Sequence, residues 1–151
     1  MKIYFDMDGT IANLYAVPDW LPKLRAYNPE PYQQAKPLVN MSRLARYINK
    51  LRSQGIEVGI ISWLSKESTA EYDEAVAKAK IEWLRQHLPS VTFDTIIIIP
   101  HGSPKWAEVA KTANNILFND ERTNVVEWIC QGCGYAYTPD KIFEIMRGLL
   151  K

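Results

Sequence analysis

Four consecutive isoleucines, Ile96 to Ile99, form a run in which apolar and polar side chains do not alternate. A strand of this kind is apolar on both faces, and both faces then need a covering layer, as in a parallel sheet flanked by helices. Strand-like and helix-like patterns alternate along most of the chain. This alternation predicts a three-layer α/β fold with a mostly parallel, five-stranded sheet, whose strands are expected at 2–5, 56–63, 93–99, 115–119 and 135–137.

Helix boundaries are marked by capping residues. Gly55 follows a stretch of helical periodicity and is a typical stop signal. Helix starts are indicated by a capping box of Ser68 with Glu71 and by the dipeptides Ser103-Pro104 and Thr138-Pro139. We therefore predict helices at 40–54, 68–87, 103–111, 123–131 and 138–150.

The stretch from residue 13 to residue 39 does not fit the alternation. It contains more than half of the chain's 9 prolines together with several aromatic residues. A loop of this length in a compact domain is usually functional. We expect a single domain over 1–151, in which 13–39 is a small insertion of short helices and turns above the strand ends.

Composition narrows the class of protein. The chain has 151 residues, of which 47% are hydrophobic and 23% charged, and its formal net charge is +1. These are globular values, and such a balance disfavours binding to long nucleic acid or to an anionic membrane. No apolar run is long enough for a membrane span, and the first residues lack the apolar region of a signal peptide. A soluble protein of the reducing cytoplasm is expected, while the oligomeric state stays open.

The chain has 2 cysteines, Cys130 and Cys133, in a CxxC spacing at a predicted helix end. A structural zinc site needs four ligands, and His87 and His101 are the only histidines. A redox CxxC would be expected where a strand enters a helix. Free thiols are therefore expected.

Polar side chains follow four of the predicted strands. In an open parallel sheet, ligands bind outside the carboxyl ends of the strands. These ends should therefore bring together a set of carboxylate, hydroxyl, amide and ammonium groups, namely Asp6, Asp8, Ser62, Lys105, Asn119, Asp120 and Glu121. Any one of them could be a capping or solvated residue, but the whole set indicates a site.

Asp6 and Asp8 are two residues apart, so both side chains leave the same face of an extended segment. Two close carboxylates repel each other, and a cation between them relieves that cost. Mg²⁺ suits such a site because it binds through one or two carboxylates and keeps several waters. Asp120 would supply a further carboxylate from the neighbouring strand end.

This set of groups favours phosphate-ester chemistry. Enzymes accelerate phosphate monoester hydrolysis by up to ~10²¹-fold, which no single side chain can supply. Asp6 would attack phosphorus to form an aspartyl-phosphate, and Asp8 would act as general acid and then as general base. Mg²⁺ and Lys105 would offset the negative charge. The phosphoryl group would be bound by Gly9, Thr10, Ser62, Trp63 and Lys105.

The strand-end motifs resemble those of the haloacid dehalogenase (HAD) superfamily of phosphatases. Asp6-Met7-Asp8-Gly9-Thr10 is similar to its first motif, and Ile60-Ile61-Ser62, Lys105 and Asn119-Asp120 are similar to the other three in order. The resemblance covers essentially the whole chain. It implies a Rossmann-like HAD fold with a small helical cap insertion, Mg²⁺ as cofactor, and a metal site formed by Asp6, the main-chain carbonyl of Asp8, and Asp120.

Within that superfamily the chain is most similar to the 5'(3')-deoxyribonucleotidase family. The similarity lies in Asp6-Met7-Asp8-Gly9 followed by Ala12, in Lys80-Ile81-Glu82-Trp83-Leu84, and in Ile116 to Arg122 followed by Asn124. It implies a Mg²⁺-dependent phosphatase whose partner is a nucleoside monophosphate. Other small phosphorylated metabolites, such as a sugar phosphate, and a non-catalytic phosphate-binding module are the alternatives.

Two positions depart from the family pattern. Asn119 stands where the family usually has the first of two aspartates, which leaves Asp120 as the expected metal ligand and Glu121 as its rival. Adjacent strand residues face opposite ways, so only one of the two can point inward. Thr10 stands where close relatives often have an apolar residue.

Aromatic residues in the insertion have two possible roles. Tyr15, Trp20, Tyr27 and Tyr32 could stack on a nucleobase, or they could pack the insertion onto the core. Tyr15 and Trp20 are the expected substrate contacts.

Overall fold

The computed structural model of the protein describes all 151 residues. Seven strands occur in chain order: β1 Lys2–Phe5, β2 Ala12–Asn13, β3 Lys36–Pro37, β4 Glu57–Trp63, β5 Thr95–Ile99, β6 Asn115–Phe118 and β7 Gly134–Tyr137. Five of them form one sheet in the order β5-β4-β1-β6-β7, and every neighbouring pair is parallel. The predicted five-stranded parallel sheet is confirmed, with β1 at its centre.

Six α-helices accompany the strands: α1 Trp20–Arg25, α2 Glu30–Gln34, α3 Met41–Ser53, α4 Ala70–His87, α5 Arg122–Cys130 and α6 Ile142–Leu149. The side chain of Asn40 caps α3 by accepting a hydrogen bond from the Arg43 N–H at 2.9 Å. The cap of α4 is Thr69, which accepts from the Tyr72 N–H at 3.2 Å. The predicted capping box of Ser68 with Glu71 was therefore wrong by one residue.

Apolar side chains project from both faces of the sheet, and each face packs against helices. On one face Phe5 and Ile60 join a cluster with Leu44 of α3 and Met146 of α6. On the other face Tyr4, Ile61 and Leu117 pack with Trp128 of α5. This alternation of faces along each strand produces the three predicted layers.

The isoleucine run is less covered than its sequence suggests. Ile99 is buried, but Ile96 is 40% exposed. β5 is an edge strand with a neighbour on one side only, β4. The expectation that both faces of this strand are covered is therefore wrong for its first residues, since an apolar run does not distinguish a central strand from an edge strand.

Two of the predicted helices are shorter than expected. Instead of a helix over 103–111, the chain forms a 3₁₀ turn at Lys105–Glu108, and Ser103 provides no cap. Pro104 is extended, and the Ser103 carbonyl accepts a hydrogen bond from Trp63 Nε1 at 2.9 Å. At the end of the chain a 3₁₀ turn, Pro139–Lys141, precedes α6.

The insertion is helical, as predicted. β2 and β3 pair antiparallel at its base, and α1 and α2 lie between them. Leu14 and Tyr32 of this segment pack against Tyr72, Val76 and Ala79 of α4. No helix of the protein combines the length and apolar character that a membrane crossing requires.

Candidate active site

A cavity of about 290 Å³ opens at the carboxyl ends of β1, β4 and β6. The insertion forms its opposite side, with Leu14, Tyr15, Trp20 and Tyr32 among the lining residues. The strand ends contribute Asp6, Asp8, Trp63, Lys105, Asn119 and Asp120. The fold thus brings most of the strand-end residues that the sequence singled out to one concave surface.

Asp6 is the most tightly held carboxylate of the cavity. It is only 6% exposed, and its Oδ1 accepts a hydrogen bond from Lys105 Nζ at 2.8 Å. Its Oδ2 accepts from the Thr10 hydroxyl at 3.0 Å. Both donors are themselves buried, so the orientation of the Asp6 carboxylate is fixed before any ligand binds.

The chain turns sharply after Asp8. Gly9 has φ +78°, and a Cβ at this position would lie 2.6 Å from Asp120 Cγ and closer still to Asp120 Oδ2. Only glycine allows both the positive φ and this close approach. The turn therefore brings Asp120, from the end of β6, next to the loop that follows β1.

Thr10 links the two carboxylates. Its Oγ1 lies 3.0 Å from Asp6 Oδ2 and 3.4 Å from Asp120 Oδ1, and it accepts a hydrogen bond from the Asp120 N–H at 3.2 Å. Burial, with the charge of Asp6 next, raises the pKa of Asp120 to about 7. Glu121 is exposed, at the N-cap of α5, so the structure sets Asp120 rather than Glu121 beside Asp6.

The donor set near Asp6 suits a divalent cation of the Mg²⁺ type. No cluster of three or more His, Cys, Asp or Glu side chains arranged for a metal ion occurs in the structure. Mg²⁺ does not need one, because one or two carboxylates with waters or other oxygens suffice. Burial raises the pKa of Asp120 most and the neighbouring charge of Asp6 raises it further, and a cation bound between the two carboxylates would relieve both costs. Asp6 and Asp120, with a main-chain oxygen, therefore fit such an ion.

Among the residues predicted to bind phosphate, two face the cavity. Lys105 is 3% exposed, and its Nζ lies 5.2 Å from the centre of the Trp63 ring. The rings of Trp63 and His101 pack at a tilt of 57°, with centroids 4.9 Å apart. Ser62 lies behind this surface, fully buried, while Gly9 and Thr10 form the loop beneath it.

A second buried lysine, Lys80, was not predicted from the sequence to be a site residue. Lys80 of α4 is 1% exposed, and its Nζ donates to Asp8 Oδ2 at 2.7 Å and to Ser62 Oγ at 2.7 Å. Its position in the helical pattern could have indicated this role, because Lys80 lies on the apolar face of α4 with Val76 and Leu84. A charged residue on a buried helix face usually has a partner.

Asp8 has a different environment from Asp6. Its side chain is 17% exposed and is paired with Lys80 at 2.7 Å. Burial raises the pKa of Asp8, while the Lys80 ammonium lowers it, and the net direction is upward. A carboxyl of raised pKa holds a proton at higher pH than an ordinary aspartate does, which a general acid requires.

Tyr15 and Trp20 line the cavity, and the Tyr15 ring lies close to Gly9 in the loop after β1. Their rings meet edge to face, with centroids 5.0 Å apart. Tyr15 is 48% exposed, whereas Tyr32 is 5% exposed and its hydroxyl is hydrogen-bonded to Ser65. Tyr27 lies outside the cavity and packs on Tyr72. Of the insertion's aromatic residues, Tyr15 is therefore the most accessible to a ligand in the cavity.

Two buried amides of the cavity have unused donors. Asn119 Oδ1 accepts a hydrogen bond from the Glu121 N–H at 2.9 Å, but Asn119 Nδ2 has no partner. Asn124 Nδ2 also has none, although Asn124 is only 5% exposed. Buried donors without partners are costly, so both amides are suited to an acceptor group on a ligand.

The two cysteines are free thiols, as expected. Cys133 is buried and Cys130 exposed. Cys133 packs with Trp128 in the core on the α5 side of the sheet, which gives it a structural role in packing.

The fold is shared with a solved structure of known activity. A crystal structure of D,D-heptose 1,7-bisphosphate phosphatase from Burkholderia thailandensis superposes with a TM-score of 0.55 at 14% identity, covering 87% of this chain and 73% of that one. No protein-family model matches the chain, and no curated protein matches it either. The likeness confirms the predicted three-layer, Rossmann-like α/β fold.

Proposed function

We propose that the protein is a Mg²⁺-dependent phosphomonoester hydrolase that acts through an aspartyl-phosphate on Asp6. The observation that carries the proposal is the fixed Asp6 carboxylate, which is held by Lys105 and Thr10 and faces a cavity shared with Asp8 and Asp120. A nucleophile must be oriented before the substrate arrives, and these contacts do so. The shared fold with a phosphatase is consistent with this chemistry.

In the first half-reaction an Asp6 oxygen attacks phosphorus and the ester P–O bond breaks. Asp8 gives its proton to the leaving oxygen, which departs as an alcohol. The raised pKa of Asp8 supports this role, because a larger fraction of Asp8 is then protonated near neutral pH. Lys105, 2.8 Å from Asp6 Oδ1, stabilises the negative charge that Asp6 and the phosphoryl group share.

In the second half-reaction water attacks the phosphorus of the aspartyl-phosphate. Asp8, now deprotonated, takes the proton from that water, the bond between phosphorus and Asp6 breaks, and inorganic phosphate leaves. Asp6 is again a carboxylate and Asp8 again carries a proton. Trp63 and Lys105 form the wall nearest the phosphoryl group, and Gly9, Thr10 and Ser62 support it from the loop and from behind.

Asp6, Asp120 and the main-chain carbonyl of Asp8 would hold the cation. Bound there, Mg²⁺ supplies charge neutralisation between a dianionic ester and a carboxylate nucleophile. Asn119 contributes no charge to this set, and its free Nδ2 is suited to a phosphoryl or hydroxyl oxygen of the substrate.

A nucleoside monophosphate is the substrate we favour. Tyr15 and Trp20 present aromatic surface to the cavity, and an aromatic surface can stack on a base. The cavity has the size of a site for one small ligand. A sugar phosphate is the second candidate, because the structural neighbour is a phosphatase of a heptose bisphosphate and the unpaired amides of Asn119 and Asn124 suit hydroxyl groups.

Phosphate release from an aryl phosphate, with Mg²⁺ and with EDTA, tests the chemistry. We expect Mg²⁺-dependent turnover in the wild type and loss of at least about 10⁴-fold in Asp6→Asn, whose side chain cannot form the acyl phosphate. A trapped phospho-protein in the wild type, absent in Asp6→Asn, would identify the covalent step. Turnover by Asp6→Asn at the wild-type rate would refute the mechanism, and a wild type that binds phosphate without turnover of any ester would favour a binding module.

A substrate panel tests specificity. Nucleoside monophosphates and sugar phosphates of equal charge should be compared by kcat/KM. The nucleotidase proposal expects the nucleotides to be preferred and the preference to depend on Tyr15. A preference for sugar phosphates that Tyr15→Ala leaves unchanged would support the second candidate.

A further inference from the structure

All three ammonium hydrogens of Lys80 are used within the chain. Its Nζ donates to Asp8 Oδ2 at 2.7 Å, to Ser62 Oγ at 2.7 Å and to the Trp63 carbonyl at 2.8 Å. An ammonium group has only three donors, so none is left for a ligand. Lys80 is also absent from the cavity lining. Any influence of Lys80 on a reaction must therefore pass through the groups that it holds.

Lys105, the other buried lysine, differs in this respect. It lines the cavity, and its only side-chain hydrogen bond is the one to Asp6 Oδ1. Each of the two aspartates is thus paired with its own buried ammonium group, Asp6 with Lys105 and Asp8 with Lys80. One ammonium faces the ligand and the other is closed off from it.

The contact with Lys80 distinguishes the two oxygens of Asp8. Oδ2 is bound to Lys80, while Oδ1 has no partner within the chain. Asp8 lines the cavity, so Oδ1 is the oxygen available to a ligand there. Lys80 also ties the loop after β1 to the end of β4 through Ser62 and Trp63.

We propose that Lys80 is a positioning residue, which holds Asp8 so that the free carboxyl oxygen faces the leaving group. The inference rests on the proposed function, because it assumes that Asp8 transfers the proton. Three hydrogen bonds from one buried side chain, to the loop after β1 and to two successive residues at the end of β4, fix the carboxyl more firmly than a single contact would. A general acid contributes only when it is within hydrogen-bond reach of the atom that it protonates.

Leaving groups that differ in their need for a proton test this role. With 2,4-dinitrophenyl phosphate, the burst measures formation of the aspartyl-phosphate, and the dinitrophenolate leaves without being protonated. The alcohol of an alkyl phosphate leaves only when Asp8 protonates it. Lys80→Met keeps the length of the side chain and removes its donors. We expect it to reduce turnover of the alkyl phosphate by about 100-fold and the dinitrophenolate burst by less than about threefold, with the same split in Asp8→Asn.

Lys78→Met is the matched control, since Lys78 is an exposed lysine of the same helix, and both of its rates should stay at the wild-type level. Equal losses of Lys80→Met on both esters, or no loss, would overturn the positioning role. If Lys80→Met does not unfold cooperatively, Lys80→Gln, which keeps two N–H donors, takes its place. Failure of both variants to fold would also overturn the role, because Lys80 would then be a structural residue. A wild type inactive on both esters would instead refute the proposed function.

Discussion

The two sides of the cavity are built differently. On the acidic floor, formed by Asp6, Asp8 and Asp120, each carboxylate lies within 3.4 Å of a buried side chain that can donate a hydrogen bond, as Asp6 does of Lys105. On the aromatic wall, formed by Tyr15 and Trp20, the rings contact each other edge to face, and neither side chain forms a hydrogen bond within the chain. Hydrogen bonds therefore hold the side chains of the acidic floor in one arrangement, whereas the aromatic wall leaves ring surface free for contact with a ligand.

This difference separates chemistry from specificity. Hydrogen bonds to buried charged groups fix the orientation of reacting atoms, and a small displacement there changes rates strongly. Apolar surface contributes to binding in proportion to the area covered and tolerates change. Substitutions on the floor should therefore change kcat, and substitutions on the wall should change KM.

Gly9→Ala should cause the largest loss of activity, because it disturbs the arrangement of the acidic floor. A Cβ at this position would overlap Asp120 Oδ2 and lie 3.0 Å from Tyr15 Cε2, and φ is +78°, so the side chain of Asp120 must shift. We expect a loss of kcat/KM of about 10³-fold, because the metal site and the loop after β1 are disturbed together. Steady-state kinetics at saturating Mg²⁺ and Mg²⁺ titration by calorimetry are the measurements.

Gly55→Ala is the control for backbone strain alone. Gly55 has φ +86°, a Cβ added there would meet no other atom within 4 Å, and the residue lies at the end of α3, away from the cavity. The variant should lose about 1 kcal/mol of stability and keep full activity. Equal activity losses in the two variants would show that backbone strain, rather than the contact with Asp120, is responsible.

Lys105→Met should remove an interaction within the acidic floor while the backbone stays in place. The variant removes the 2.8 Å hydrogen bond to Asp6 and one positive charge facing the cavity. Loss of one charged stabiliser of the transition state costs about 10²- to 10³-fold in kcat. Lys111→Met, at an exposed lysine over Trp106, should leave kcat unchanged. A change confined to KM in Lys105→Met would show that Lys105 stabilises the bound substrate and the transition state equally.

Much of this floor was predictable from the sequence, because the positions of the strands along the chain follow from local patterns and the carboxyl ends of parallel strands share one edge. The apolar strands preceding Asp6, Ser62 and Asn119 place these residues at one sheet edge, as found. The contacts of Lys80 were not predictable, since they depend on how α4 packs across the sheet and on its distance from Asp8 in space. The exposed Ile96 shows the same limit, because its burial depends on the position of β5 in the sheet.

The burial of Asp120, together with its proximity to Asp6, should appear in the pH dependence of stability. The pKa of Asp120 is raised from 3.8 to about 7, so between these pH values the folded state holds a proton that the unfolded state has lost. The metal-free free energy of unfolding should therefore fall as pH rises through this window and level off above it. Because Asp120 is partly exposed, solvent screening reduces this effect, and we expect the free energy of unfolding to change by about 2 kcal/mol.

Urea unfolding in EDTA, at intervals from pH 4 to pH 8, measures this change. Subtracting the curve of Asp120→Asn cancels the contributions of other titrating groups, including His87, whose pKa is lowered by burial. Mg²⁺ should stabilise the wild type more at pH 8 than at pH 5, because the ion competes with the proton. Parallel curves for wild type and Asp120→Asn would contradict the raised pKa of Asp120.

The smallest effect is expected on the aromatic wall. Tyr15 is 48% exposed, so Tyr15→Ala should cost little stability. If a base stacks on it, KM for a nucleoside monophosphate should rise roughly fivefold, corresponding to about 1 kcal/mol, while kcat for a small aryl phosphate stays constant. Tyr27→Ala, in the same insertion but outside the cavity, is the matched control and should leave both values unchanged. A fall in kcat for both esters in Tyr15→Ala would mean that the wall also orients the floor, and the separation of chemistry from specificity would fail at this residue.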